Sequence, residues 1–590
     1  MTTGISTARL LTIGGVLAVL TIILTARIGY LQIAEHERYT QMADDEHWGV
    51  MRLEPHRGAI RDRNGNLLAA SVVTYRLLAD TSKVKPEQIT RIANTLAPIV
   101  NQPADKLLVA LATPPKPILL EPSTERLAET KKIVYEKTVL AEGLSYAAGP
   151  KIEALDFAGI ELERQNSRIY PEGNLAAQVI GIVGRDQRGL AGIEADYNRQ
   201  LSGQIGQVWY ERDTTGAEIP LGMRGVTQAL DGADVVLTID RYIQRIVDLE
   251  ADAAMVRHKA DAVTIVVMNP QTGEILGMTT RPSFDITKPK LNDPKEQELI
   301  RNRAVTDMYE PGSVFKILTM AMALEEKLVN PNTTYLDRGW VRKWDRDIVN
   351  WDGAANGTTT MTRLLVKSAN VGAVWLSDLL GSERFYRHVY DFGFGRPTNI
   401  DLGGEAAGQA RTQNDPGWSP FDLATNSFGQ GINVTPIQLI TAVSAIANGG
   451  KLMQPHVVKQ VIGPNGTRTF DPVVVRRVIS EETSRTLRTM MVEVINEGTS
   501  RAVIPGYRLS GKSGTTQIVT GRAYSDDQTI ASFVVFPTEN APFVVLTRVD
   551  RPKDSQWGGQ VAAPLAKSIV ERLLAYYRIP PDAVKPGGLG

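Results

Sequence analysis

From Leu10 to Ala26 the chain runs 17 residues without a charged side chain. A helix of that run is about 25 Å long at about 1.5 Å per residue, slightly short of a bilayer core near ~30 Å. Continuing through Gly29, Tyr30, Leu31 and Ile33 brings it to about 36 Å if Arg27 snorkels to the interface. Tyr30 then falls at the aromatic belt. A cleaved signal peptide would need a small-x-small site after the run, and Thr25-Ala26-Arg27-Ile28 is a poor one. We therefore expect a retained anchor at 10–33 behind a short tail at 1–9. Arg9 and the α-amine at one end, against Arg27, Glu35 and Glu37 at the other, lean toward a cytoplasmic tail. No second run of comparable length is present, so the rest of the chain is expected on the far side of the membrane.

With 43% hydrophobic and 22% charged residues, the chain beyond the anchor can fill a large core. Lys+Arg 65 cancel Asp+Glu 65, which argues against a dedicated nucleic-acid binder. There is no cysteine, so disulfides, thiolate nucleophiles and Cys-bound zinc are excluded. The six histidines include no His-Glu-x-x-His spacing. No metal and no cofactor is expected; the chemistry falls to hydroxyls, carboxylates, Lys or Arg.

Asn64-Gly65, between Ile60 and Leu67-Leu68, signals a hairpin. Residues 86–140 read as helical with Pro-rich breaks, and 141–230 as an irregular β-rich module. The texture changes near Asp234. Val235–Ile239 reads as a buried strand, Arg241–Val256 as a helix, and Val263–Met268 with Glu274–Thr280 as a hairpin. Helices are expected from Ser313 to about Gly450. Ser480 opens another that stops at Gly498. Three strand-like runs come next, at Gln517–Val519, Ala531–Phe536 and Phe543–Val549, then a helix from about Ala562 to Tyr577. Strands at both ends with helices between them predict an α+β domain, an antiparallel sheet with helices around it. The expected organisation is 34–230 as a non-catalytic module, 231–580 as the main domain and 581–590 as a disordered tail.

Ser-x-x-Lys occurs at Ser82/Lys85 and at Ser313/Lys316, about what chance gives in this length. Context separates them. Ser82 lies among Lys83, Lys85 and Pro86, a solvated loop. Ser313 follows Pro311-Gly312 and opens a run apolar on every side, from Phe315 to Leu324, which predicts a buried helix. Lys316, three residues on, would share its face and be desolvated, which favours the neutral amine. A snorkelling lysine beside a capping serine is the bland alternative. Ser368-Ala369-Asn370, by itself, is as readily a helix cap. With a site attached, Ser368 could relay a proton and Asn370 could bind a substrate amide. Gly506 to Ser513 matches the phosphate-loop pattern G-x-x-x-x-G-K-S. That motif needs a helix at Lys512-Ser513, but Gly514-Thr515-Thr516-Gln517-Ile518-Val519 has a β pattern. The alternative is a strand edge where Gly514 leaves room for a peptide and Lys512 offers a cation.

Ser-x-x-Lys, Ser-x-Asn and Lys-Ser-Gly in this order, 55 and 144 residues apart, form a set far more specific than any one of them. With it the chain resembles the class B (monofunctional) penicillin-binding proteins, peptidoglycan D,D-transpeptidases. Arg57-Gly58-Ala59-Ile60-Arg61-Asp62-Arg63-Asn64-Gly65 is similar to the first motif of the family's pedestal. Arg168-Ile169-Tyr170-Pro171, Gly181-Ile182-Val183-Gly184 and Gly192-Ile193-Glu194 resemble later ones. Asn302-Arg303-Ala304 and Val561-Ala562-Ala563-Pro564 also fit. Glu310-Pro311-Gly312-Ser313 is more like the division-type (FtsI-like) enzyme than the elongation type. Thr516 and Val534 depart from the residues that members often carry, Ala and Gly.

The resemblance implies a penicillin-recognising serine transpeptidase domain on an elongated β-rich pedestal of dimerisation type. Lys316 would deprotonate Ser313, which attacks a D-Ala–D-Ala carbonyl. Backbone N–H groups of Ser313 and Thr515 would form the oxyanion hole. Lys512, Ser513, Gly514, Thr515 and Thr516 would hold the substrate, and Ser368 and Asn370 would serve proton transfer and binding. Stem peptides on lipid-linked glycan strands would be the substrates and β-lactams the inhibitors. A SEDS-type glycosyltransferase and other divisome proteins would be the membrane partners. An elongation-type enzyme, a D,D-carboxypeptidase, a β-lactamase-like sensor and a scaffolding subunit of a cell-wall complex are the competing functions.

Overall fold

A computed structural model describes residues 7–120, 132–213, 217–520 and 523–582. Most of the expected tails, 1–9 and 581–590, lies outside these residues. Thr7–Ala34 is one helical run of 28 residues whose most apolar 18-residue stretch has mean hydropathy 2.1, long and apolar enough to cross a membrane. Its last turn, Tyr30–Ala34, is π-helical. The chain gathers into two compact units. The smaller comprises residues up to His56 with Gly203–Asp231. Its sheet pairs Trp48–Leu53 and Arg224–Thr227 antiparallel to either side of Gly206–Glu211.

The larger unit, Arg57–Ser202 with Gly232–Gly590, holds everything that positions the site. The expected Asn-Gly hairpin is present: β1 (Ile60–Arg61) pairs antiparallel with β2 (Leu67–Ala79), Ile60 opposite Ala69. The helical expectation for 86–140 holds for α1 (Ile89–Val100) and α2 (Ala104–Ala112) and fails beyond them. There β3 (Thr138–Leu144) joins β2, as does the ten-residue β4 (Ile160–Ile169), longer than the broken texture predicts. β5 (Asp234–Leu237) pairs parallel with β1.

The segment from α3 (Arg241–His258) builds the second sheet. Asp240 caps α3, accepting from the N–H groups of Tyr242 and Ile243. β6 (Ala262–Met268) and β7 (Ile275–Arg281) form the expected hairpin. α4 (Lys316–Glu325) follows the turn that carries Ser313. Helices dominate 313–450 as expected, but a set of short strands lies between 334 and 360, including the hairpin of β8 (Trp340–Lys343) and β9 (Arg346–Val349), which the sequence reading did not place. Val341 and Ile348 face the core from it while Trp340 and Val349 face solvent, a period-2 pattern hidden among polar residues. Then come α5 (Met361–Lys367), α6 (Asn370–Asp391) and α7 (Pro436–Ala447), the last buried at every position. β10 (Val458–Gly463) and β11 (Gly466–Thr469) extend the first sheet, whose order is β11-β10-β5-β1-β2-β3 with β4 also on β2. α8 (Glu481–Glu493) is capped by Ser480 as expected.

β12 (Leu509–Thr520), β13 (Ala523–Pro537), β14 (Val544–Asp550) and α9 (Gly558–Tyr576) complete the chain. The second sheet runs β7-β6-β14-β13-β12, antiparallel throughout. β6 and β14 are buried along their whole length. Val263, Ile265 and Val267 pack with α3 and α9, while Val266 and Met268 pack with α4 and α7. Both faces of the sheet are thus covered by helices, the α+β layering the sequence predicts.

In the first sheet's unit the quoted pedestal motifs meet in one buried cluster. Arg57 Nε donates to Glu194 Oε2 at 2.6 Å and Arg168 Nε to Glu194 Oε1 at 2.7 Å. Arg57 also reaches the Gln187 and Glu194 carbonyls, and Arg168 the Gly58 carbonyl. A Cβ at Gly58 would lie 2.0 Å from the Ala233 carbonyl oxygen, so this backbone crossing admits glycine alone.

Candidate active site

Ser313 sits in a 3-10 turn, Gly312–Phe315, that leads into α4. α4 is buried from Lys316 through Leu324 because its apolar residues surround the helix. That burial carries Lys316 inside with 1% of its surface exposed. Its Nζ lies 3.0 Å from Ser313 Oγ, 2.5 Å from the Ser368 carbonyl oxygen and 2.7 Å from Asn370 Oδ1. A neutral amine has two N–H bonds and one lone pair. The two carbonyl-type oxygens can only accept, so they take the two N–H bonds. The lone pair is then left for the Ser313 hydroxyl.

The charge state agrees with that arrangement. Burial first, and then the charge of Lys512, hold the Lys316 amine well below the ordinary lysine range. Burial also lowers Lys512, to about 7. Lys512 Nζ donates to Ser368 Oγ at 3.0 Å and to the Ser513 carbonyl at 3.1 Å. Ser368 Oγ is also 3.3 Å from Lys316 Nζ, so it lies between the two amines.

Ser-x-Asn is neither a simple cap nor part of one helix. Ser368 ends α5 with φ +53°, and Asn370 starts α6. A left-handed serine costs about 1 kcal/mol or more. The bend it makes turns the Ser368 carbonyl and the Asn370 side chain toward the same amine. Asn370 Nδ2 is anchored by the Val349 carbonyl at 2.9 Å, at the end of β9. The β8–β9 hairpin, absent from the sequence expectation, therefore fixes the orientation of that amide.

The phosphate-loop pattern is not realised. Lys512-Ser513-Gly514-Thr515 lies within β12, the edge strand of the second sheet, where a helix would be required. Glycines let three backbones converge there. A Cβ at Gly312 (φ +56°) would fall 2.4 Å from Thr516 Oγ1 and 3.0 Å from the Thr515 carbonyl oxygen. A strand residue's C=O and N–H point to the same side. Thr515 therefore turns both toward the Ser313 turn and away from β13. Ser513 and Thr515 are partly exposed. Thr516 is 3% exposed and buttresses the turn from below.

Several residues escaped the sequence reading. Gly558 N donates to Thr515 Oγ1 at 2.9 Å, and a Cβ at Gly558 would meet the Gly514 carbonyl at 2.1 Å. Gly429 accepts from Gly312 N at 3.1 Å. Trp351, which donates to the Lys367 carbonyl at 3.0 Å, meets Trp557 edge-on with centroids 5.2 Å apart. These two rings join the Ser368 side of the site to the Thr515 side. Trp557-Gly558-Gly559 ahead of a helix was the available signal.

Residues 263–571 match the family model of the penicillin binding protein transpeptidase domain, and 52–237 match that of the penicillin-binding protein dimerisation domain. Stage V sporulation protein D of Bacillus subtilis is 36% identical over 96% of this chain and 84% of its own length. The probable peptidoglycan D,D-transpeptidase PenA of Neisseria meningitidis is 29% identical over 94% of this chain and 90% of its own. Among solved structures, penicillin binding protein 3 of Mycobacterium tuberculosis complexed with aztreonam superposes with TM-score 0.67 at 26% identity. That match covers 90% of this chain and 98% of the other.

Proposed function

Because the chain belongs to the class B penicillin-binding proteins, which join a dimerisation domain to a transpeptidase domain, we propose that Ser313 is the nucleophile of a peptidoglycan D,D-transpeptidase. The observation that carries this reading is the Lys316 amine, buried and 3.0 Å from Ser313 Oγ with its other partners fixed, its pKa pushed well below the ordinary lysine range by burial. The amine takes the Ser313 proton as Oγ attacks the penultimate D-Ala carbonyl. The N–H groups of Ser313 and Thr515 receive the oxyanion, each such donor worth about 3 kcal/mol. The C–N bond breaks, and Ser368 passes a proton to the leaving D-Ala amine. Lys512, with the Ser513 and Thr515 hydroxyls, holds the terminal carboxylate. That ion pair raises the amine above about 7 once substrate is bound. Gly514 keeps the strand edge open to the peptide, Thr516 supports the nucleophile turn, and Asn370 orients Lys316. An amine from a neighbouring strand then resolves the acyl-enzyme into a cross-link. β-Lactams acylate the same oxygen.

The names of relatives, among them an FtsI homolog of Mesostigma viride, support a role in septal wall synthesis. The N-terminal helix supports an anchored enzyme with its domains outside the cytoplasm. A SEDS-type glycosyltransferase and other divisome proteins fit that place. The organisation we propose is a tail at 1–9, an anchor at 10–33, a pedestal at 34–230 and a transpeptidase domain at 231–580. Mass mapping of a penicillin adduct tests the central claim. The adduct is expected on the tryptic peptide that carries Ser313 and should vanish in Ser313→Ala; labelling that persists would refute the assignment.

A further inference from the structure

Glu310, three residues before the nucleophile, plays no part in the mechanism above. Its Oε1 accepts from Gly431 N–H at 2.8 Å, and the Tyr524 hydroxyl donates to Oε1 at 3.1 Å and to Oε2 at 3.3 Å. Gly431 and Tyr524 are both exposed, so the carboxyl lies at the solvent edge of the nucleophile turn. Glu310 itself is partly buried, and no cation among the described residues pairs with it. Burial pushes its carboxyl above the usual range. A half-buried carboxylate without a cation is uncommon, because desolvation is then left uncompensated.

The inner site has the opposite character. It holds two buried lysines, and among the described residues no carboxylate draws their protons back. An acceptor amine arrives from water as an ammonium, with an ordinary pKa of about 10.4. Burial drives both of those amines toward their uncharged form, so they offer that charge no anion. The Glu310 carboxylate at the edge, with no cation paired to it among the described residues, attracts that charge.

We propose that Glu310 is the residue that selects the acceptor, receiving its ammonium at the edge of the site while Tyr524 covers the carboxylate between turnovers. The proposal rests on the transpeptidase reading. In the step it serves, the new C–N bond forms as the bond from the acyl carbon to Ser313 Oγ breaks. Of the two protons the ammonium nitrogen loses, one returns to Ser313 Oγ and the other leaves to solvent.

The test uses the full-length protein, acylated by a thioester donor peptide, with two competing acceptors. One is a stem tripeptide carrying a free side-chain amine, and the other is methanol, which has no charge. Glu310→Gln should lower the amine-to-methanol product ratio about tenfold, and Glu310→Asp should retain most of it. Tyr524→Phe, which removes the hydroxyl bonded to the carboxylate, should keep or raise the ratio. An unchanged ratio in Glu310→Gln would overturn the proposal, as would equal loss toward both acceptors. A wild-type protein that forms no amide at all refutes the transpeptidase reading first, and this proposal with it.

Discussion

Asn370→Asp is a change of one atom that should switch off the base. Asn370 Oδ1 lies 2.7 Å from Lys316 Nζ. A carboxylate at that distance attracts an ammonium by about 6 kcal/mol at an effective dielectric of about 20. Desolvating the new carboxylate returns about half of this. The remaining ~3 kcal/mol raises the Lys316 pKa by about two units. The proton that burial drives off Lys316 is thereby drawn back, and its lone pair becomes less available to Ser313. We expect the second-order rate of acylation by a fluorescent penicillin to fall about a hundredfold at pH 7, with the deficit shrinking as pH rises toward 10. Asn370→Ala is the control. Both variants lose the Nδ2–H bond to the Val349 carbonyl, but alanine adds no charge and should cost about 1 kcal/mol. Acylation by Asn370→Asp that matches or exceeds Asn370→Ala at pH 7 would refute the neutral-amine argument. So would a deficit that does not change with pH.

Lys512 has a folded pKa of about 7 against an ordinary 10.5, so the unfolded chain binds the extra proton between those values. Stability conferred by removing that proton therefore rises with pH across this window, by up to about 1.4 kcal/mol per unit. The melting temperature of wild type relative to Lys512→Met should climb from pH 7 to pH 9; a flat difference contradicts the buried amine. Glu194→Ala leaves Arg57 and Arg168 buried without their shared carboxylate and should cost about 3–5 kcal/mol, read as a lower melting temperature or faster proteolysis. Gly558→Ala, whose Cβ would meet Gly514 O at 2.1 Å, should slow acylation at least about tenfold through displacement of Thr515, while the far-ultraviolet circular dichroism spectrum is retained.

Much of the candidate site's framework was legible because its causes are local. A helix apolar on every side buries Lys316 wherever it packs, and a Gly-rich β pattern makes Lys512–Thr515 a strand, whatever its likeness to a phosphate loop. Unbroken apolar runs beside turn residues placed β6, β7 and β14, and a capping signal placed the start of α8, for the same reason. What the sequence hid depends on distant partners. Asn370 is oriented by Val349, on a hairpin whose apolar residues are too few to stand out. Gly558 matters because of a strand more than forty residues earlier. Ser368 needs a left-handed backbone, which no neighbouring residue announces. Trp351 and Trp557 meet across two separate segments, and their spacing in sequence carries no sign of contact.

The first sheet has a consequence for how such a protein can be divided. β1, β2 and β5 lie within the stretch 52–237 matched by the dimerisation model, whereas β10 and β11 come after residue 457. They hydrogen-bond as one ladder, with Val235 opposite Val461. A fragment cut near residue 238 would keep every side chain proposed to react and yet lose the strand that β10 leans on. It would expose an unpaired edge to its neighbours in solution. Recombination or fragment design that respects the ladder must therefore carry β1, β2 and β5 along, so the inheritable module is larger than the reacting one.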